Sequence, residues 1–319
     1  MPSIKTQGLT KQFGDDIVAV KDLDLTVEEG EVFGFLGPNG AGKSTTINLL
    51  LDFIRPTKGS IEVLGLDAQE HPARIRERVG VLPEGYGFDN ALVGREYLEW
   101  AIDTRDADND PDELLELVGL DDAGNRIAGD YSKGMQQRLA FAMALVGDPE
   151  LLILDEPSTG LDPNGIKQLR EIVRDLADKG TTVFFSSHIL DQVEAVCDRV
   201  GVLNEGELVA LDSLEGLRDS IGVQATIQFV CASKPVPSEL GVTELDGVAD
   251  VAVDDRTLIV TCEDPSVKID VAEHVAQSAT IVDILSDTVS LETLFSELTE
   301  GGRDQRPESH DQAPSEVST

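Results

Sequence analysis

The stretch Gly37-Pro-Asn-Gly-Ala-Gly-Lys-Ser-Thr45 combines residue types that could bind phosphate. It lies between an apolar run that predicts a strand, Glu31–Leu36, and a run with helical spacing, Thr46–Leu51. A strand that leads through a glycine-rich turn into a helix points backbone N–H groups and the positive helix end into one concavity, which favours an anion. Lys43 adds a point charge for terminal phosphates, and the Ser44 hydroxyl can ligate Mg²⁺. The sequence therefore predicts a nucleotide-binding P-loop.

Two adjacent acids close a second apolar run further along the chain. Leu151-Leu-Ile-Leu-Asp-Glu156 is typical of a strand buried in a parallel sheet, and it ends in Asp155 and Glu156. Because side chains alternate along a strand, the two carboxylates need not do the same job. One carboxylate can bind Mg²⁺ or its water ligands while the other interacts with a water molecule, as phosphoryl transfer beside a P-loop requires.

Several single residues have two readings each when taken alone. Glu84 follows a strand that ends at a proline, and it is either a ligand for metal or water or a solvated loop acid. His188 follows another buried strand and either contacts a ligand or caps a helix. Phe13, in a predicted turn, either stacks on a purine base or packs in the core. Ser132 and Gly134 open a helix, which is a weak signal for a second anion cradle.

The elements that must position these residues follow from hydrophobic periodicity. An antiparallel layer is predicted before the P-loop, a mostly helical insert after it, and a hairpin after His188. Trp100, on the first helix of the insert, is predicted to pack rather than to contact a ligand. The main predicted segments are strands Ile4–Thr10 and Leu23–Val27 joined through residues 11–18, whose Gly and Asp residues predict a turn, helices within Gly94–Leu120 broken at Asp108–Pro111, a helix from about Ser132 to Val146, and the hairpin Gly201–Ala210.

Composition limits the classes of protein that the chain can represent. Sixty-one acidic and 25 basic residues give a formal charge of −36, spread along all 319 residues. Such a field repels nucleic acid and anionic lipid surfaces, so a nucleic-acid partner is not expected. Dispersed carboxylates with few lysines favour a protein adapted to a high-salt cytoplasm, where the Debye length falls to about 3 Å at 1 M salt. The alternative is an acidic protein from an ordinary cytoplasm.

The remaining compositional signals concern location and cysteine chemistry. No stretch approaches the roughly 18 consecutive apolar residues of a membrane span, and residues 1–5 lack the apolar core of a signal peptide. We therefore expect a soluble, cytoplasmic chain. Its three cysteines are widely spaced and are predicted to be buried free thiols: Cys197, Cys231 and Cys262.

In this order, the motifs resemble the ATP-binding subunit of ABC transporters over roughly residues 4–218. The order consists of the P-loop, the proline-ended strand, the helical insert, the Ser132-Lys-Gly134 helix start, the Leu-Leu-Ile-Leu-Asp-Glu run, Ser158-Thr-Gly-Leu-Asp162 and His188. The resemblance implies an α/β fold: a P-loop NTPase cassette with a RecA-like mixed sheet, an antiparallel β subdomain and a helical subdomain at about residues 90–146. ATP and Mg²⁺ are the implied cofactors.

The resemblance also assigns roles within a head-to-tail dimer, in which each ATP lies between the P-loop of one chain and the Ser-Gly-Gly-type loop of the other. Phe13 would stack on adenine, and Asp155 and Glu84 would join Ser44 at Mg²⁺. Glu156 would be the base that acts on water, with His188 and Lys43 at the γ-phosphate. The phosphate-binding residues would be Gly37, Pro38, Asn39, Gly40, Ala41, Gly42, Lys43, Ser44 and Thr45, with Ser132 and Gly134 of the second chain. Ser132, Lys133, Gly134 and Asp162 would lie at the dimer interface.

The sequence departs from the family pattern at two places. Glu84 stands where the family usually has Gln, although Pro-Glu followed by a glycine-aromatic stretch resembles one export-type branch. Lys133 and Met135 replace a Gly and a Gln of the partner-facing loop. A carboxylate can still bind Mg²⁺ or its water, so the departures bear on turnover and dimer strength rather than on nucleotide binding.

Beyond Arg218 the pattern changes to short strands around one helix. Three strands, a helix over 267–277 and a further strand predict a small α+β domain over 219–300. The closing stretch Ser290–Thr299 is similar to the last helix of export-type ABC subunits with such a domain. Residues 301–319 are charged and poor in apolar groups, which predicts a disordered tail. The cassette would occupy residues 1–218, and the added domain would serve dimer contact, regulation or stability.

Two function classes follow. The first is an ATPase whose Mg-ATP-driven dimer closure powers a separate membrane permease, with export favoured and the chain held peripherally at the cytoplasmic face of the membrane. The alternative is a soluble ABC-type regulatory ATPase that acts as a nucleotide switch without a permease. A tandem cassette, a basic linker or a long coiled coil would favour the switch, and the sequence has none of these.

Overall fold

The computed structural model of the chain describes residues 1–14, 16–220, 225–262 and 266–288. These residues form fourteen strands in three sheets together with ten α-helices. The predicted closing helix Ser290–Thr299 and the predicted disordered tail 301–319 lie outside the described residues.

The central sheet has six strands and is mostly parallel. Its strands are β3 (Val32–Leu36), β6 (Val79–Leu82), β7 (Leu151–Asp155), β8 (Thr182–Ser187), β9 (Arg199–Asn204) and β10 (Glu207–Ser213). They lie in the order β10-β9-β3-β8-β7-β6, and only β10 runs antiparallel to its neighbour. Every residue of β3, β7 and β8 is buried. The continuous apolar runs are therefore confirmed as strands covered on both faces.

The parallel arrangement brings the predicted polar residues to one edge of this sheet. The P-loop follows β3, Glu84 follows β6, Asp155 ends β7 and His188 follows β8. Backbone hydrogen bonds join these ends: Gly37 N donates to Ser187 O over 3.2 Å, and Glu156 N donates to Ser186 O over 3.1 Å. Ligands in open α/β sheets bind outside the carboxyl ends of the strands, so this edge is where a site is expected.

The predicted antiparallel layer is confirmed, but its first two strands are longer than the sequence indicated. The layer contains β1 (Ile4–Phe13), β2 (Ile17–Val27), β4 (Lys58–Val63) and β5 (Leu66–Asp67), in the order β2-β1-β4-β5. The connecting segment predicted over 11–18 does contain a turn, at Gly14 and Asp16, but it is shorter than expected, since Lys11 pairs with Val20 and Phe13 with Ile17. Phe13 is thus the last residue of a strand.

The helices lie between the strands and in the insert. They are α1 (Lys43–Leu50), α2 (Pro72–Arg78), α3 (Gly94–Arg105), α4 (Pro111–Leu117), α5 (Lys133–Leu145), α6 (Pro163–Asp178), α7 (Leu190–Glu194), α8 (Leu214–Ser220), α9 (Pro237–Leu240) and α10 (Val267–Ser278). Short 3₁₀-helices cover Asp121–Ala123, Ala128–Asp130 and Val242–Glu244.

The helical insert is confirmed, including its predicted break before Pro111. Helix α4 begins there because the Asp110 side chain accepts a hydrogen bond from Asp112 N and proline fits the first helical position. The packing role predicted for Trp100 is wrong, since this side chain is 58% exposed. Helix α3 buries Leu98 and Ala101 on its inner face, and Trp100 lies on the opposite one.

The order of three strands, a helix and a strand that was predicted beyond Arg218 is present. Strands β11 (Ala225–Cys231), β12 (Val248–Asp254), β13 (Thr257–Cys262) and β14 (Ile281–Thr288) form an antiparallel sheet in the order β12-β13-β11-β14. Val271 and Val275 of α10 belong to the same buried cluster as the inward side chains of this sheet. All three cysteines are buried free thiols, as predicted.

Candidate functional site

The P-loop has backbone conformations that only glycine adopts without strain. Gly40 and Gly42 have φ angles of 84° and 109°, in the left-handed region. A Cβ on Gly42 would lie 2.3 Å from the carbonyl oxygen of Ala19, so strand β2 passes directly against this turn. Helix α1 begins at Lys43 with no side-chain hydrogen bond capping its N-terminal N–H groups. Those groups remain available to an anion.

Lys43 lies buried at the base of this turn. Its side chain is 6% exposed, and its Nζ donates to Gly37 O over 2.7 Å and to Pro38 O over 3.3 Å. The same Nζ lies 3.5 Å from Glu156 Oε1. A buried ammonium among carbonyl oxygens and one carboxylate is placed to meet the negative charge of a phosphate.

Asp155 lies at the end of β7 and turns toward the P-loop. Its Oδ1 accepts a hydrogen bond from Ser186 Oγ over 2.9 Å, and the Ser44 side chain also hydrogen-bonds to it. Burial raises the pKa of the Asp155 carboxyl, the Ser186 and Ser44 hydrogen bonds oppose that rise, and the nearby Glu156 charge adds to it. The carboxylate and the Ser44 hydroxyl together form a pair of hard oxygen ligands.

Glu156 directly follows Asp155 in the chain, but its side chain lies in a different environment. Its backbone has a left-handed φ of 50°, which is strained for a residue with a side chain, and it is 5% exposed. Oε2 lies 2.9 Å from His188 Nδ1, whereas the buried Oε1 has no hydrogen-bond partner among the described residues. The left-handed backbone therefore directs Glu156 to Lys43 and His188, while Asp155 contacts Ser44 and Ser186.

A cleft of about 320 Å³ lies at the carboxyl edge of the central sheet, with Lys43, Ser44 and Glu156 in its lining and Asp155 and His188 behind them. It is lined by Ala19, Asn39, Gly40, Gly42, Lys43, Ser44, Thr45, Glu84 and Glu156. A larger groove of about 980 Å³ lies elsewhere and is lined in part by the Arg78–Glu150 ion pair. We place the site at the smaller cleft because it alone of the two contains a glycine-rich turn opening a helix.

The predicted partner-facing residues lie outside this cleft. Ser132 is exposed and caps α5, accepting a hydrogen bond from Met135 N over 3.3 Å. Asp162 caps α6 through Gly165 N, over 2.9 Å, and its side chain is 61% exposed. A Cβ on Gly134 would lie 2.7 Å from Gly160 O, so the two loops that these residues belong to are in contact. Phe13 is 43% exposed and lies outside the cleft lining, with Lys11 Nζ 4.9 Å from its ring centroid.

The comparisons with known proteins agree with this geometry. The family pattern described as "ABC transporter" matches residues 20–159. The chain is 45% identical over 209 residues to the bacitracin transport ATP-binding protein BcrA of Bacillus licheniformis, covering 65% of this chain and 68% of that protein. The chain belongs to the ABC transporter family. It is an ATP-binding subunit that hydrolyses ATP, and the fold is the ABC cassette.

Further relatives and solved structures extend this match. The daunorubicin/doxorubicin resistance ATP-binding protein DrrA of Streptomyces peucetius is 40% identical over 229 residues, which are 69% of this chain and 68% of that protein. A fluoroquinolones export ATP-binding protein of Mycobacterium tuberculosis (strain CDC 1551 / Oshkosh) is 42% identical over 212 residues, 66% and 70% of the two chains. The solved ATP-binding subunit of an ABC transporter superposes with a TM-score of 0.63 at 28% identity, covering 69% of this chain and 93% of that one.

The ABC cassette contains three site-forming residues that the sequence analysis missed. Ala19 lines the cleft through its backbone, Ser186 holds Asp155, and Gln192 accepts a hydrogen bond from the buried Ser187 hydroxyl. The signal for Ser186 was a polar residue in an otherwise apolar strand. For Ala19 and Gln192 the sequence offers no signal, because their positions depend on packing between distant segments. Among the described residues, no helix is long and apolar enough to span a membrane.

Proposed function

We propose that this cassette powers an exporter, as a homodimer joined head to tail and bound peripherally to a separate permease at the cytoplasmic face of the membrane. The support is the named activity of its relatives, which are proteins of bacitracin transport, daunorubicin/doxorubicin resistance and fluoroquinolone export. A solved cassette of the same fold, 24% identical to this chain, is a dimer bound to ADP and phosphate.

Within one chain, we assign the phosphates of ATP to the P-loop, Gly37–Thr45, and to Lys43. The uncapped N–H groups at the start of α1 and the buried ammonium support this assignment. Phe13 would stack on the adenine from the end of β1. Ser132 and Gly134 of the second chain would close on the γ-phosphate, with Lys133 and Asp162 at the same interface. The exposure of Ser132, Lys133 and Asp162 is compatible with contact to a second copy.

We assign Mg²⁺ to Ser44 and Asp155, together with Glu84, which lines the same cleft as Ser44. The residues fit this ion, because Mg²⁺ binds through one or two carboxylates together with substrate phosphates rather than in an all-protein cage. When bound, Mg²⁺ would neutralise charge on the phosphate oxygens.

The observation that carries the proposed chemistry is Glu156 Oε1, which faces the Lys43 ammonium at 3.5 Å but accepts no hydrogen bond from the described residues. A buried carboxylate oxygen without a hydrogen-bond donor costs free energy unless a ligand supplies one, and a water beside the γ-phosphate would do so. Glu156 would accept a proton from this water while the water oxygen forms a bond to the γ-phosphorus. The bond between the γ-phosphorus and the bridging oxygen would break, and ADP would leave with its electrons. His188, bonded to Oε2, would orient the carboxylate and reach the γ-phosphate.

Glu156→Gln tests this assignment. The variant should bind ATP and remain a closed dimer on size exclusion, because the amide keeps the shape but cannot take the proton. Turnover should fall by about 10²–10⁴-fold. Glu150→Gln is the matched control, since Glu150 lies before the other end of β7 and pairs with Arg78. Turnover of Glu156→Gln at the rate of this control would show that Glu156 is not the base.

We further propose that residues 1–218 are the cassette, that 219–300 form a separate α+β domain for dimer contact or regulation, and that the cassette works at high salt. The charge of −36 supports adaptation to salt, because carboxylates repel one another where screening is weak. The free energy of unfolding should therefore increase steeply as KCl is raised to molar concentration. A flat dependence on KCl would contradict the salt proposal alone.

A further inference from the structure

Gln192 is a buried amide that joins two segments of the site. It lies on α7, is 8% exposed and has its Oε1 among serine hydroxyls. Ser158 Oγ donates to this oxygen, and Ser187 Oγ donates to it over 3.3 Å. Both serines are themselves buried, Ser187 completely. One carbonyl oxygen therefore satisfies two hydroxyls that are 29 positions apart in the chain, at 158 and 187.

Ser187 connects this oxygen to His188. It directly precedes His188, and its Oγ also accepts a hydrogen bond from Ile189 N over 3.0 Å. The residues on both sides of the imidazole are thus fixed by the hydroxyl that Gln192 holds. The imidazole in turn contacts Glu156 Oε2. A shift of Ser187 would change the direction from which His188 meets the carboxylate.

Ser158 connects the same oxygen to the loop Pro157–Asp162, which follows Glu156. The Pro157 carbonyl accepts a hydrogen bond from Gln137 Nε2 of α5 over 3.0 Å. At the other end of the loop, Gly160 O lies against Gly134, where a Cβ would come within 2.7 Å. The loop therefore contacts the start of α5, which carries the residues assigned to the nucleotide of the second chain.

We propose that Gln192 is a positioning residue that ties the loop Pro157–Asp162 to the His188 end of β8. This inference rests on the proposed function, in which His188 serves the nucleotide of its own chain and Gly134 that of the partner. Through Gln192, the position of the loop Pro157–Asp162 and the orientation of His188 change together. ATP binding by the P-loop does not involve this link, because Gln192 is outside the cleft.

Two variants of the full-length chain separate a positioning role from a structural one. Gln192→Leu removes the acceptor for both hydroxyls, whereas Gln192→Glu retains an acceptor oxygen at this position. We expect Gln192→Leu to lower kcat about tenfold with KM for ATP within twofold, and Gln192→Glu to restore most of kcat. Gln168→Leu is the matched control, since Gln168 donates to Leu117 O over 2.8 Å outside this network.

The link through Ser158 is tested by a double-mutant cycle. If Gln192 acts through the loop, Ser158→Ala should lower kcat alone but add little in the Gln192→Leu background. If the fold-reduction of kcat in the double variant equals the product of the two single reductions, the residues act independently and the inference is overturned. A Gln192→Leu variant with the kcat and KM of the Gln168→Leu control would also overturn it.

A readout that needs no turnover separates this inference from the proposed function. The imidazole NMR signals of His188, assigned by their loss in His188→Asn, should shift in Gln192→Leu and stay near wild type in Gln192→Glu. Unshifted signals in Gln192→Leu would overturn the inference even in an active enzyme. If the signals shift in Gln192→Leu but Glu156→Gln hydrolyses ATP normally, the link through Gln192 is supported. The assignment of Glu156 as the base is then contradicted instead.

Discussion

The two stretches assigned to one nucleotide differ in how their polar groups are held. Around the P-loop, the polar side chains of Lys43, Asp155 and Glu156 are buried, and each contacts another of the three, neighbouring backbone or a serine hydroxyl. In the partner-facing stretch, Ser132 and Asp162 are exposed and cap helices. Buried polar groups need partners within the chain, whereas exposed caps are satisfied locally and leave a surface free. On the proposed assignment, each chain would build its own phosphate cradle and would present to a second chain the groups that close that chain's cradle.

Alanine substitution at Gly42 and at Gly134 tests the two stretches separately, because each substitution adds one methyl group to one stretch. In both, an added Cβ would meet a carbonyl oxygen, at 2.3 Å from Ala19 O and at 2.7 Å from Gly160 O respectively. Only Gly42 also has a left-handed backbone, with φ of 109°. The substitution at Gly42 should therefore have the larger effect.

Gly42→Ala is expected to cause the largest loss. Overpacking against Ala19 O and the strained φ should together cost about 1–3 kcal/mol of folding stability. Movement of the turn should also weaken ATP binding by more than about tenfold, or 1.4 kcal/mol. Thermal unfolding and equilibrium titration with ATP measure the two effects. Gly30→Ala is the control, because Gly30 has φ of 78° with open space at its Cβ, and binding as tight as in that control would remove the P-loop assignment.

Gly134→Ala is expected to lower turnover with little change in the affinity of a single chain for ATP. The new methyl group would push the start of α5 away from Gly160, and a shift of about 1 Å in a positioning group can cost on the order of 10²-fold in rate. Measurements of kcat and of ATP binding to the monomeric protein separate the two sides of the comparison. Loss of ATP affinity as large as in Gly42→Ala would show that the two stretches are not independent.

The sequence alone predicted the cradle better than its surroundings. The P-loop, the acids that end β7 and the capped start of α5 depend on local rules, since each combines a periodic run with a turn or cap residue. The extended pairing up to Phe13, the exposure of Trp100 and the approach of Ala19 to Gly42 depend on contacts between distant segments. Strand β2 reaches the P-loop only because the antiparallel layer packs beside it, and no local pattern encodes that distance.

Asp155→Asn should change stability less than Gly42→Ala does, and its effects on stability and on activity should have opposite signs. Burial raises the pKa of Asp155, so the folded state binds its proton more tightly than the unfolded chain. The stability that protonation provides is fully present below the unfolded pKa and is lost as the pH rises through the raised folded pKa. At neutral pH the variant should therefore be more stable than wild type by on the order of 1 kcal/mol, since an amide replaces a buried charge beside Glu156.

This gain should disappear at low pH, where wild-type Asp155 is itself protonated. Chemical unfolding of nucleotide-free variant and wild type at neutral and acidic pH measures the difference, in which titrating groups that do not interact with Asp155 cancel. ATP hydrolysis should be strongly reduced in the variant, because a neutral amide is a poor ligand for the proposed Mg²⁺. A variant less stable than wild type at neutral pH would mean that the Ser44 and Ser186 hydrogen bonds outweigh the cost of burying the charge. The Asp155 carboxylate would then stabilise the nucleotide-free fold. The proposed cation site would not lower the free energy of unfolding.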